Sequence, residues 1–254
     1  MSATDRAFRI ASRFNGPIAS GNGGYSAGLA AKYLTGDAVE ATLRAAIPLE
    51  QTLRAHETPE GFDITTDDAS TRILIMSMRD TALAIPDVQS PGLAAAKVAA
   101  ETFRTAEDHV LPTCFVCGPR RAIGDGLRIF PDWTKDPAGT DNPNDFPIVA
   151  APWIPTADLA DDFGRIAPEF MWAALDCPGA FAVDKEPILL GRMSAKILER
   201  PRPGKPIVTV AWSKGQERRK HFAGTALFSE AGDLLAFSDQ TWIQIDAHAH
   251  MKEN

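Results

Sequence analysis

Apolar and polar residues alternate along residues 39–49. This period of two is typical of a strand with one buried face, and it predicts an antiparallel sheet. A helix is predicted just before the strand, over residues 23–34. Its apolar positions Tyr25, Leu29 and Tyr33 recur at intervals of four. The sequence Asn15-Gly16-Pro17 places a turn before the helix.

The order of helix and alternating strand recurs in the second half of the chain. A helix is predicted over residues 168–181, because Pro168 and Glu169 suit a helix start. A strand over residues 189–197 follows it. Further strands are expected at about residues 6–14, 51–65, 70–85, 126–130, 148–154, 207–213, 222–228 and 234–245. The repeat predicts an α+β fold with a helix across an antiparallel sheet in each half, as in an internal pseudo-dimer.

Composition shifts place the boundaries of these halves. We predict a first unit over residues 1–88, a partly helical linker over 89–112, a second unit over 113–248 and a loose tail over 249–254. The linker is rich in alanine from Leu93 to Phe103. A chain of 254 residues has room for two such cores.

Charge and cysteine content narrow the classes of function. The net charge of −7 gives no electrostatic support to nucleic-acid binding. No apolar run approaches a membrane span, and the polar start does not resemble a signal peptide. Three cysteines do not suggest a disulfide framework. A cytoplasmic location, without membrane association, is expected.

Five short segments carry a resemblance to a known family. They are Gly21–Tyr25, Thr113–Gly118, Gly124–Leu127, Trp172–Gly179 and Gly224–Phe228. Together they resemble the fused double hotdog proteins of the acyl-CoA thioesterase superfamily. The resemblance implies a tandem hotdog fold, with antiparallel sheets that each wrap a central helix.

In the phenylacetyl-CoA-type thioesterases of that superfamily, His-Gly-Gly begins the central helix and an Asp follows nine residues on. The site combines the glycines of one subunit with the Asp of the other. Here Asn22-Gly23-Gly24 takes the place of His-Gly-Gly, and Ala31 stands where the Asp would be. The second half keeps the acid, Asp176, but has Ala167 nine residues before it. The resemblance therefore implies one composite site, with Asn in place of His.

The chemistry of thioester hydrolysis suggests a role for each of these residues. The Gly24 N–H, with Gly23 nearby, is the candidate donor to the thioester carbonyl at a helix start. Asp176 is the candidate general base on water, or the nucleophile through an anhydride. Asn22 would orient the carbonyl or the water. Glu169 lies seven residues before Asp176, on about the same helix face, and is a reserve carboxylate.

Further residues are candidates for substrate contact. Tyr25 and Ser26 lie in the first turn of the first helix. Trp172 could line an acyl pocket, although large aromatic residues also suit a core. The run Arg218-Arg219-Lys220 is a basic turn that could bind the phosphates of coenzyme A, or simply be solvated.

Two other motifs suggest different chemistry. Residues 24–28 match the nucleophile-elbow pattern G-x-S-x-G, but the apolar strand that an elbow needs does not precede them. Cys114-x-x-Cys117 resembles half a zinc knuckle or a redox pair. Cys177 is the only other thiol, and His109 could join such a site. A structural turn is the simpler interpretation, so no metal or other cofactor is expected.

The residues and the resemblance together predict a thioesterase-like hydrolase whose small-molecule substrate is an acyl-CoA, with the acyl group left open. A non-catalytic protein that binds acyl groups or acyl-CoA is the first alternative, because Asn22 departs from the family's histidine. A hotdog hydratase or dehydratase is the second, although neither central helix holds the histidine that this chemistry usually needs. The resemblance also implies a homodimer of fused chains.

Overall fold

A computed structural model describes residues 6–68, 70–134, 142–183 and 187–245 of the chain. The predicted tail at 249–254 lies outside these residues. Eleven strands and three α-helices are present in the described part. The strands are β1 (Ala7–Arg9), β2 (Ala38–Leu43), β3 (Thr52–Thr58), β4 (Gly61–Thr66), β5 (Leu74–Thr81), β6 (Asp132–Trp133), β7 (Val149–Trp153), β8 (Ile188–Ile197), β9 (Ile207–Glu217), β10 (Lys220–Ser229) and β11 (Leu234–Gln244). The helices are α1 (Gly23–Ala31), α2 (Gly92–Ala100) and α3 (Pro168–Val183).

The strands form one antiparallel sheet whose order is β1-β3-β4-β5-β2-β8-β11-β10-β9-β7-β6. The strand after α1 pairs with the strand after α3, so β2 and β8 lie at the centre of the sheet. Outward from this seam the order is β5-β4-β3-β1 on one side and β11-β10-β9-β7-β6 on the other. The sheet of the first half therefore continues into that of the second without an edge between them.

Glu40 is a buried carboxylate whose contacts reach across the seam between β2 and β8. It lies on β2 and accepts hydrogen bonds from Arg79 on β5 at 2.8 Å and from Ser194 on β8 at 3.3 Å. Arg192 on β8 stands 3.8 Å away. The positive charges of the arginines and the hydrogen bonds offset the free-energy cost of burying the Glu40 carboxylate.

Helices α1 and α3 pack directly against each other. An added Cβ on Gly24 would stand 2.6 Å from both the Cβ and the main chain of α3, at Asp176 and Trp172. A Cβ on Gly28 would stand 2.6 Å from Glu169 Cα, so the two helices run in opposite directions. Glycine at these two positions, four residues apart, lets the backbones come close.

Several predicted elements differ from the observed ones. The strand predicted over residues 51–65 is two strands, β3 and β4, because Pro59 and Glu60 lie in a hairpin turn between them. The strand predicted at 126–130 is wrong. Leu127 and Ile129 do donate to the carbonyls of Phe115 and Val116, but the positive φ of Arg128 interrupts an extended strand.

The predicted helices are confirmed with shifted ends. α1 ends three residues before the predicted Leu34, and α3 continues through Pro178 to Val183. The predicted helix in the linker is α2. Among the described residues, no helix has the length and apolar character that crossing a bilayer requires.

Candidate functional site

The first turn of α1 directs its N–H groups to defined acceptors. The first four N–H groups of a helix have no acceptor within the helix. Two of them belong to Asn22 and Tyr25: the Asn22 N–H donates to the Phe14 carbonyl at 2.8 Å, and the Tyr25 N–H donates to Asn22 Oδ1 at 2.9 Å. The Gly24 N–H donates to Asp176 Oδ2 at 2.8 Å. The remaining one belongs to Gly23, which lines a cavity.

Asp176 meets α1 from the middle of α3. Its side chain is 2% exposed, and Oδ1 has no hydrogen-bond partner among the described residues. Burial raises the pKa of Asp176 to about 7, while hydrogen bonds from Gly24 and Asn22 oppose the rise. The carboxyl group can therefore exchange a proton near neutral pH. The sequence-predicted pair of Gly24 and Asp176 is in direct contact.

A side chain from the sheet supports this turn of α3. Pro178 has no N–H for the carbonyl of Ala174, four residues earlier. Gln240 on β11 donates to the carbonyls of Leu175 and Asp176, at 2.6 and 3.2 Å. A Cβ on Gly179 would collide with Gln240 Oε1, so glycine makes room for this contact. Gln240 thereby fixes the backbone that carries Asp176.

A cavity of about 550 Å³ opens beside these residues. Asn22, Gly23 and Asp176 line its polar part, together with His109. Its apolar lining comes from the strands on both sides of the seam, from the segment that follows β2 and from the end of α3. These residues are Leu43, Ala45, Ile47, Ala180, Phe181, Leu190, Trp242 and Ile243. The volume falls in the range of small-molecule sites.

Three cysteines line the same cavity. The Cys114 and Cys177 sulfurs are 3.6 Å apart, and the three Sγ atoms of Cys114, Cys117 and Cys177 lie within 4.8 Å of one another. Asn22 Nδ2 is 3.9 Å from the Cys177 sulfur. Thiol hydrogen bonds from Cys117 and Cys177 hold the pKa of Cys114 well below its usual value. The predicted structural turn thus has a third thiol beside it.

Several predicted substrate contacts are packed away from the cavity. Tyr25 stacks on Phe14 with ring centroids 4.0 Å apart, and Trp172 is buried against Gly28. Ser26 is fully buried. Glu169 is in the first turn of α3 and is not among the cavity-lining residues. The structure therefore does not bring these four residues to the cavity, and their predicted roles stay predictions.

In the predicted basic run, Arg218 and Arg219 form the exposed turn between β9 and β10, and the exposed Lys220 begins β10. It does not line the cavity but lies beside it. The Arg219 carbonyl accepts from the Gln244 N–H at 2.8 Å, and Lys220 is paired with Ile243, which does line the cavity. The three cations are thus one strand away from the cavity wall.

Two cavity residues were not predicted to contact substrate. Arg44 is exposed at the cavity, just beyond the end of β2. His109 is buried, with Nδ1 accepting from the Leu111 N–H at 2.9 Å and Nε2 without a partner among the described residues. Burial lowers the pKa of His109 to about 4, so it is neutral. Its position in the linker gave no periodic signal that could place it near α3.

Comparisons with known proteins bear on the fold. No protein-family model matches the sequence, and no curated protein matches it. Solved structures match nearly the whole chain. One from Novosphingobium aromaticivorans, provisionally described as a thioesterase, has a TM-score of 0.59 at 13% identity, covering 94% of this chain and 95% of its own.

Two further structures show the same likeness. A tesB protein from Mycobacterium avium subspecies paratuberculosis has a TM-score of 0.56 at 13% identity, covering 95% of this chain and 93% of its own. A protein of unknown function with a hotdog fold, from Alicyclobacillus acidocaldarius, has a TM-score of 0.51 at 15% identity. The match covers 95% of this chain and 94% of that protein. The predicted resemblance is confirmed at the level of fold: over nearly its whole length, this chain has the hotdog fold of the structures that it matches.

Proposed function

We propose that the protein hydrolyses an acyl-CoA thioester at a single composite site between α1 and α3. The observation that carries the proposal is the 2.8 Å contact between the Gly24 N–H and Asp176 Oδ2 at the wall of a largely apolar cavity. In this proposal the two halves are tandem hotdog units, and each supplies what the other lacks. The mirrored strand order about the β2–β8 seam supports that division.

In the proposed reaction, Asp176 acts as a general base. Its unpartnered Oδ1 takes a proton from water, and the water oxygen attacks the thioester carbonyl carbon. The carbon–sulfur bond then breaks, and Asp176 passes the proton it took to the departing sulfur, giving a carboxylic acid and the coenzyme A thiol. The raised pKa of Asp176 suits a base that works near neutral pH.

The start of α1 supplies the proposed donors to the carbonyl oxygen. The Gly23 N–H is the one of the first four that the bonds described above leave without an acceptor, and the helix dipole reinforces it. The Gly24 N–H is held by Asp176 and is the second candidate donor. Asn22 then acts as the helix cap that orders both N–H groups, which extends the role predicted for it.

The rest of the cavity suggests how the substrate lies. The apolar residues on both sides of the seam would hold the acyl group. Arg44 and the basic turn at Arg218, Arg219 and Lys220 would be placed to meet the phosphates of coenzyme A. The homodimer and the cytoplasmic location stay predictions, and light scattering of the purified protein would measure the first.

The proposal is tested by an Asp176→Asn variant and a panel of short, aromatic and medium-chain acyl-CoA esters. We expect kcat to fall about 10²–10⁴-fold, the typical contribution of a general base. The free energy of unfolding should change by less than about 1 kcal/mol, because Asn keeps the shape and the Gly24 acceptor. Asp239→Asn, an exposed carboxylate paired with Lys214, is the matched control and should keep full activity.

Glu169→Gln separates the two candidate carboxylates. Activity that survives in Asp176→Asn but is lost in Glu169→Gln would contradict the assignment of the base. Wild-type protein that is thermally stabilised by acyl-CoA without turnover would instead support the non-catalytic binding protein.

A hydratase or dehydratase is favoured by one observation, the presence of His109 and Asp176 in the same cavity. That pair supplies the histidine that the two central helices lack. Hydration of an enoyl-CoA, measured as the loss of the enoyl absorbance, would identify a hydratase. Hydrolysis of acyl-CoA esters without any hydration would reject this alternative.

A further inference from the structure

The three cysteines of the chain converge although they come from different parts of the fold. Cys114 and Cys117 lie on a tight turn before β6, and Cys177 lies in α3. All three are buried, and all three line the cavity. The proposed hydrolysis uses none of them, so their convergence calls for a different explanation.

The turn has the form of a metal-binding knuckle. The Gly118 N–H donates to the Cys114 carbonyl at 2.9 Å. A Cβ on Gly118 would stand 2.6 Å from the Cys114 nitrogen and 2.7 Å from the Pro112 carbonyl. Only glycine fits so close an approach. The turn therefore holds Cys114 and Cys117 in one geometry. The two residues between them in the sequence give the C-x-x-C spacing that is common among zinc ligands.

The sulfur separations match a tetrahedral site. Zinc–sulfur bonds of about 2.3 Å at tetrahedral angles put two sulfurs about 3.8 Å apart. The Cys114–Cys177 separation is 3.6 Å, and the three sulfurs lie within 4.8 Å of one another. Small side-chain rotations can bring all three to a single ion.

Two residues that line the same cavity each carry a buried polar atom without a hydrogen-bond partner among the described residues. The atoms are His109 Nε2, on a side chain that is 7% exposed, and Asp176 Oδ1, on one that is 2% exposed. A neutral imidazole and a carboxylate are both zinc ligands. Buried polar atoms without partners are costly, and the charge of a cation held by the three sulfurs in the same cavity would offset part of that cost.

We propose that Cys114, Cys117 and Cys177 together bind one thiophilic divalent cation of the Zn²⁺ class, with the fourth coordination position toward the cavity. The ion would tie the turn to α3. The turn also contacts the first half of the chain, because the Phe115 N–H donates to the Asn15 carbonyl at 2.8 Å. The site does not depend on the proposed hydrolysis, and its test does not measure turnover.

The first experiment measures binding to the intact, reduced protein after treatment with a chelator. Titration with Zn²⁺ against a chromophoric chelator should give one equivalent per chain and a melting temperature that rises with metal concentration. Co²⁺ should give thiolate-to-metal charge-transfer absorption. X-ray absorption of the zinc-loaded protein should show three sulfurs at about 2.3 Å.

Variants then assign the ligands. Cys114→Ser, Cys117→Ser and Cys177→Ser should each weaken Zn²⁺ binding by at least about 100-fold, the upper limit for loss of a supporting partner. His221→Asn is the matched control. It also changes a buried histidine with an unpartnered Nε2, but His221 on β10 does not line the cavity, so binding should be unchanged.

Three results would overturn the proposal. One is binding of well under one equivalent at saturating Zn²⁺, and another is wild-type affinity in Cys177→Ser. The third is a zinc shell of nitrogen and oxygen without sulfur. The spectroscopic result comes from the wild-type chain, so the test holds even where a serine variant fails to fold.

Discussion

At the scale of single residues, two neighbouring glycines have different surroundings. Gly24 faces the backbone and Cβ of α3, whereas Gly23 faces the end of the Leu190 side chain at the cavity. Backbone atoms cannot move aside without shifting a helix, but a leucine methyl can. The Gly-Gly pair that the sequence suggests for carbonyl binding therefore also has a packing role at its second member.

This difference predicts unequal effects of adding one methyl group. Gly24→Ala should lower the free energy of unfolding by about 1–3 kcal/mol, since overpacking forces α1 and α3 apart. Gly23→Ala is the matched control and should change it by less than about 1 kcal/mol. Urea denaturation of both variants measures the difference. Equal stabilities would show that α1 and α3 are not in close contact at Gly24.

At the scale of elements, α3 depends on β11 for the position of Asp176. The helix continues past Pro178, and Gln240 binds the two carbonyls at residues 175 and 176. The Gln240 Oε1 in turn accepts from Trp242 Nε1 at 2.8 Å. Every polar atom of this buried amide has a partner, which is what holds a buried polar group in one orientation.

Gln240→Ala is therefore expected to destabilise the protein by about 1–3 kcal/mol, because two buried carbonyls lose a donor. If the protein is a hydrolase, kcat should fall with little change in KM, since Gln240 positions Asp176 and does not touch substrate. Gln216→Ala, at an exposed position of β9, is the control for both measurements. Loss of stability with an unchanged kcat would reject the positioning role.

At the scale of the whole molecule, the halves share one sheet and one helix pair. β2 pairs with β8, Glu40 bonds across the seam, and α1 packs on α3. Neither half can separate without exposing the interior of the sheet and the buried carboxylate of Asp176. The predicted division at residues 88 and 113 therefore marks units of sequence that remain packed together.

Unfolding should accordingly be a single cooperative transition. All five tryptophans lie between residues 133 and 242, so their fluorescence reports mainly the second half, and only Trp172 among them is placed here against α1. Far-ultraviolet circular dichroism reports both halves. We expect the two denaturation curves to coincide. A dichroism transition that precedes the fluorescence change would contradict this and would show that the first half unfolds alone.

Local pattern determined the elements on either side of the site. The alternation at 189–197 and the helix signals at Pro168 depend on neighbours in sequence, and they predicted β8 and α3 closely. The pattern gave wrong results where one residue interrupts it, as the left-handed Arg128 does within residues 126–130. The strand predicted over residues 39–49 is also too long: the apolar and polar alternation continues through residues 44–49, but β2 ends at Leu43.

The sequence alone determined that this chain has an antiparallel sheet and the helices α1 and α3. It also determined that glycines begin α1 and that an acid lies within α3. These features follow from periodicity and residue type. Only the tertiary structure decided that Gly24 meets Asp176, that Gln240 supports α3 and that Cys177 joins Cys114 and Cys117. Those contacts join residues far apart along the chain, and helix packing and strand order, which no local pattern encodes, determine which of them meet.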